Sequence, residues 1–148
     1  MAAVIRSRRG LTLVEVMISL AVFTVLTLVF AASIPAAQKA CMANGQYAQA
    51  ISLCQHKIDQ LRAVGYGRLN YTELSDAGII DDDPSSQPYS FMGVDQVENY
   101  LPASTAALTI QSVGTNMLRV RATVTWKPTT YTNRTNTLTL SAIITNVE

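Results

Sequence analysis

Glu15 stands at the edge of a stretch with no other charge: residues 16 to 37 contain no Asp, Glu, Lys or Arg. A charged side chain at a bilayer centre costs ~2.5–3.5 kcal/mol, less near a helix end, and groups kept in such segments usually have a partner. The chemistry open to Glu15 is therefore pairing with a cation. Elsewhere reactive residues are sparse. His56 is the single histidine and Cys41 and Cys54 the only cysteines, which excludes the common zinc-ligand spacings and a disulfide framework. No nucleophile stands with a base and an orienting group, so neither an enzyme, a cofactor nor a resident metal is expected.

The element that carries Glu15 reads as a membrane span. Residues 1–10 (MAAVIRSRRG) are short and basic, and residues 11–34 are apolar except for Ser, Thr and Glu15. As a helix, that segment is ~36 Å long, enough for a hydrocarbon core of ~30 Å. Arg6, Arg8 and Arg9 before it predict a single pass of the inner membrane with the amino terminus cytoplasmic and the body outside. The net charge is +1, and with those arginines set aside eight basic residues face ten acidic ones, so bulk charge does not support a nucleic-acid partner.

Arg8-Arg9-Gly10 followed by Leu11-Thr12-Leu13-Val14-Glu15-Val16 resembles the class III signal of type IV pilins and type II secretion pseudopilins. The resemblance implies a filament subunit, most like a minor pilin or minor pseudopilin. It implies cleavage by a prepilin peptidase between Gly10 and Leu11, N-methylation of Leu11, and a role for Glu15 in filament assembly. The partners it implies are that peptidase, other pilin or pseudopilin subunits, an inner-membrane assembly platform and, before assembly, the bilayer. The protein's final place would be a pilus or a periplasmic pseudopilus. Leu11 stands where Phe is commoner in the family. The spacing also has a reason of its own: a carboxylate four residues beyond a new α-ammonium is one helical turn away, close enough to attract it or a neighbour's.

Other readings of the segment are a Glu15 that merely snorkels from a helix end, a twin-arginine signal at Ser7–Leu11, and a small-residue cleavage site at Ala31-Ala32-Ser33. Glu15 and the length of the apolar run oppose the last two. The runner-up function is a single-pass, membrane-anchored extracytoplasmic binding domain that never polymerises.

Beyond Ile34 the helical pattern continues over residues 35–64 as an amphipathic helix. Tyr47, Ile51, Cys54, Ile58 and Leu61 form its apolar stripe, and Gln46, Gln49, Gln55, Lys57, Asp59, Gln60 and Arg62 fill the other faces. Gly65 and Gly67 supply a stop near Val64. Such a helix must leave half of itself outside the globular part. Pro35 predicts a helix kink, the alternative being that it ends the span, and Asn44-Gly45 is a second soft point. Cys54 lies on the stripe as a buried small hydrophobe, Cys41 is free to reach a surface, and His56 lies off the stripe.

Residues 65–105 read as a connecting region with short helical turns or an edge strand, and residues 106–148 as an antiparallel sheet. In it Leu108 and Ile110, then Leu118 to Trp126, then Leu138 to Ile144 alternate with polar residues. The expected fold is α+β: a long amino-terminal helix packed by its second half on a three- to four-stranded sheet. Asp81-Asp82-Asp83 suggest Ca2+, but adjacent carboxylates cannot all converge on one ion, and a solvated acidic loop is expected. Arg119, Arg121, Lys127 and Arg134 would suit a nucleic-acid strand, yet few aromatics interleave them, and a solvated sheet face is expected.

Overall fold

The computed structural model describes residues 12–128 and 134–146. The chain divides into two compact units, Met1–Ala40 and Cys41–Glu148, and helix α1 (Leu13–Val64) contributes to both.

In the first unit, α1 begins at Leu13 because Thr12 caps it. The Thr12 hydroxyl accepts the Glu15 N–H at 3.3 Å, and the Thr12 carbonyl accepts the Val16 N–H. Thr-x-x-Glu is the sequence pattern of a capping box. Residues 12–40 are exposed throughout, and the helix is long and apolar enough to cross a membrane. Three of its hydroxyls turn inward on the backbone: Thr24, Thr27 and Ser33 each donate to the carbonyl four residues earlier, Leu20, Phe23 and Val29, at 2.8 Å. That bond hides the polar group from an apolar surrounding. Pro35 lies inside α1, which continues through it rather than ending there, as it does through Asn44-Gly45.

In the second unit, α1 ends at Val64 and is followed by a 3-10 turn at Tyr66–Arg68 and a short helix α2 (Tyr71–Asp76). The Asn70 side chain caps α2 by accepting the Glu73 N–H. Gly78, at φ 64°, closes it: its N–H reaches the Ser75 carbonyl while the Ile79 N–H reaches that of Leu74. A left-handed residue of this kind suits glycine. The sheet follows in the order β1 (Tyr89–Ser90), β2 (Thr105–Gly114), β3 (Met117–Trp126), β4 (Asn136–Thr145), all neighbours antiparallel. A further 3-10 turn, Val97–Asn99, lies between β1 and β2. The connecting region thus holds the expected short turns and an edge strand.

The alternating residues turn one face of the sheet to the core. Leu108, Val120, Ala122, Val124 and Trp126 pack with Ala50, Cys54, Ile58 and Leu61 of α1, and Leu74, Ile80, Phe91, Val97 and Leu101 close the sides. Each fully buried Leu, Ile, Val or Phe is worth ~1.5–3 kcal/mol relative to exposure. The helix stripe differs from the sequence reading. Tyr47 and Ile51 remain 40% and 38% exposed, whereas Ala50 and Lys57 are fully buried. The buried series 50, 54, 57, 61 keeps the spacing of four, three and four, rotated slightly about the helix. Tyr47 instead lays its ring edge-on to Trp126, with centroids 4.9 Å apart.

β4 closes the sheet on one side. It pairs with β3 over ten consecutive residues without a register shift and carries no charge, proline or glycine. Leu138, Leu140 and Ala142 on its inner face are only partly buried.

Candidate functional site

Two places in the chain hold charges in unusual settings. The first is the start of α1. Glu15 sits in the first helical turn, three residues beyond its cap, where the positive end of the helix dipole favours an anion. The surrounding side chains Leu13, Val14, Val16, Met17 and Ile18 are all exposed apolar groups. Gly10 and Leu11, the expected cleavage and methylation positions, lie outside the described residues. In the sequence, only Thr12 separates Leu11 from α1. No described side chain is seen to bond the Glu15 carboxylate, so this group is available to a cation from outside the helix.

The second place is buried. Lys57, expected on a polar face, is fully enclosed, and its Nζ donates to the Ile79 carbonyl at 2.6 Å and to Asp95 Oδ1 at 3.0 Å. The same ammonium lies 5.1 Å from the centre of the Phe91 ring. Burial lowers the Lys57 pKa below the usual lysine value, while the charge and hydrogen bond of Asp95 and the charge of Asp81 oppose that fall. The stem fills core space and the head finds an anion, the two conditions under which an internal lysine is tolerated. The signal available in sequence was its place in the 50, 54, 57, 61 series; the residue type pointed the other way.

Asp82 and Asp83 are exposed, as expected of a solvated acidic loop, but Asp81 departs from that expectation. Its carboxylate accepts the Ser90 hydroxyl and the N–H groups of Gly93 and Val94, fastening the loop after β1. Burial works against the Asp81 charge, but the bonds from Ser90, Val94, Gly93 and Met92 outweigh it and hold the carboxyl below its usual value. Asp82 accepts from the Ser75 hydroxyl, so the two carboxylates serve separate loops.

Cys54 is fully buried, near the Ala122 carbonyl, and burial pushes its thiol up to about 11. Cys41 is exposed and free. His56 is exposed and shares a 3.0 Å hydrogen bond with Gln60. Arg121, Lys127 and Arg134 are exposed and Arg119 is half-buried; Arg119 and Arg121 share the sheet face opposite α1. No ion pair engages these four among the described residues.

Neither a curated protein nor a solved structure matches the chain. A family model does, over residues 5–31, described as the prokaryotic N-terminal methylation motif. The match covers the arginines, Gly10, Leu11, Glu15 and most of the apolar run, the residues that precede and open α1. The chain therefore carries the class III prepilin signal of type IV pilins and pseudopilins, ahead of a helix-on-sheet, pilin-like fold.

Proposed function

We propose that the chain is a structural subunit of a type IV pilus-like or type II secretion filament, a minor pilin or pseudopilin rather than an enzyme. The observation that carries this reading is the coincidence of the methylation motif with a helix whose first part is apolar on every face and bears one carboxylate in its first turn. A prepilin peptidase cuts between Gly10 and Leu11 and methylates the new terminus. The bilayer stores the subunit until an inner-membrane platform extracts it, and the apolar part of α1 then exchanges lipid for the helices of neighbouring subunits. Glu15 pairs with the Leu11 ammonium of a neighbour, since an uncompensated charge in such a bundle is costly and a matched pair fixes axial register.

The test is intact mass with amino-terminal sequencing of protein from native membranes, together with fractionation of sheared filaments. A chain that begins at N-methyl-Leu11 and travels with sheared filaments is expected. A chain beginning near Ile34, or an uncut chain that stays with membranes, would overturn the reading in favour of a secreted or anchored domain.

A further inference from the structure

The charges of the second unit are segregated along the chain. Residues 69–118 hold Glu73, Asp76, Asp81, Asp82, Asp83, Asp95 and Glu98 and no Lys or Arg; residues 119–147 hold Arg119, Arg121, Lys127 and Arg134 and no Asp or Glu. A groove with Asp95 of the acidic segment as its one carboxylate runs between α1 and the segment before β2, lined by Gln49, Ser52, Leu53, His56, Asp95 and Tyr100. Asp95 is only 8% exposed, and while its Oδ1 holds Lys57, its Oδ2 is buried with no hydrogen-bond partner among the described residues. A buried carboxylate oxygen without a donor is a cost that an incoming N–H removes. Leu53 and the half-exposed Tyr100 ring offer an apolar wall for an aliphatic stem, and Gln49, Ser52 and His56 offer further polar contacts. This is the chemistry that holds a guanidinium.

The basic segment supplies one. Arg121 faces Thr109 on β2 and Ser141 on β4, and Arg119 faces Gln111 and Ile143. The flanking Thr123–Thr139 and Thr125–Thr137 pairs bond each other across β3 and β4. Two long cationic side chains therefore stand on a face of mostly shorter ones, without an anion of their own. We propose that the Asp95 groove of one copy receives Arg119 and Arg121 of a second copy. The two patches are different surfaces of the same chain, so a single such contact leaves one groove and one arginine pair free, and a head-to-tail series of contacts can extend from copy to copy. The inference deepens the filament reading and rests on it, because it supplies the contact between heads that a helical stack of subunits requires.

The experiment uses the full chain in membranes, with Cys41→Ser to remove the exposed thiol and two tagged versions expressed together. One carries Asn99→Cys beside the groove and the other Ser141→Cys beside Arg121, and a short bismaleimide joins cysteines brought within its reach. Mixed product at least tenfold above that of either variant alone is expected, as is its loss on adding Arg119→Glu and Arg121→Glu to the second version. Mixed product no greater than the single-variant products, or unchanged by the charge reversal, would overturn the proposal. Protection of Cys54 from the reagent reports that each variant is folded. Sheared fractions from the same cells separate the two ideas: cross-linking in membranes without filaments sinks the filament reading alone, and filaments without cross-linking sink the head contact alone.

Discussion

Glu15 and Lys57 are both charges in apolar company, and they answer it differently. Lys57 has its partner within the chain, so its loss is a stability effect. Lys57→Ala leaves Asp95 buried without a cation and is expected to cost about 3–5 kcal/mol, with Lys57→Met plus Asp95→Leu recovering most of it in thermal unfolding of the full chain in detergent. Glu15 has no partner of this kind and lies in the first turn of α1. Glu15→Ala is expected to insert into membranes normally and to vanish from sheared filaments; normal incorporation would remove its assigned role. Cys54 offers a third check. With its thiol pushed up to about 11 by burial, it stays protonated near neutral pH, so a maleimide should label Cys41 alone in the native chain and both cysteines after unfolding. The place of Glu15 in the first turn of an apolar helix was legible because spacing and surroundings agreed; the burial of Lys57 was not, because a lysine on a buried stripe becomes intelligible only once Asp95, 38 residues away, is seen beside it.

At the level of elements, periodicity carried most of the information. The three long strands and the end of α1 at Val64 follow from alternation of two and from the glycines at 65 and 67. The region between them was legible only as short pieces, since its order comes from single long-range bonds rather than a repeating pattern. Asp81 shows this: three consecutive carboxylates read as a wet loop, yet the first anchors the turn after β1 through Ser90. Its folded pKa lies below the unfolded value, so the stability it contributes is present above about pH 4 and is lost as pH falls through the folded value. Ser90→Ala raises that folded value. The variant should be less stable than the parent by about 1 kcal/mol at pH 7, with the gap narrowing towards pH 3, as read by denaturant unfolding at both values.

Taken as a whole, the molecule assigns its chemistry to two kinds of surroundings, and the sequence showed the division through the distribution of charge more than through any motif in the body. The helix-on-sheet arrangement of the second unit was legible because the apolar face of the strands and the stripe of the helix each require cover. The groove at Asp95 was not, because its walls come from α1 and from a turn more than thirty residues later. The hydroxyls of Thr24, Thr27 and Ser33 have a consequence of another kind. Each is satisfied by its own backbone, so these three hydroxyls ask nothing of their surroundings, and Ser19 is the one hydroxyl between Val16 and Ile34 without such a bond among the described residues. Lipid tails and packed aliphatic side chains are then nearly equivalent solvents for this segment. On the filament reading, transfer between them is close to neutral in free energy in either direction, and Glu15, with the Ser19 hydroxyl a lesser second, is left as the group best able to tell the two apart. A subunit built this way can return to the bilayer as readily as it left, which makes its assembly reversible and its direction a matter for the machinery that drives it.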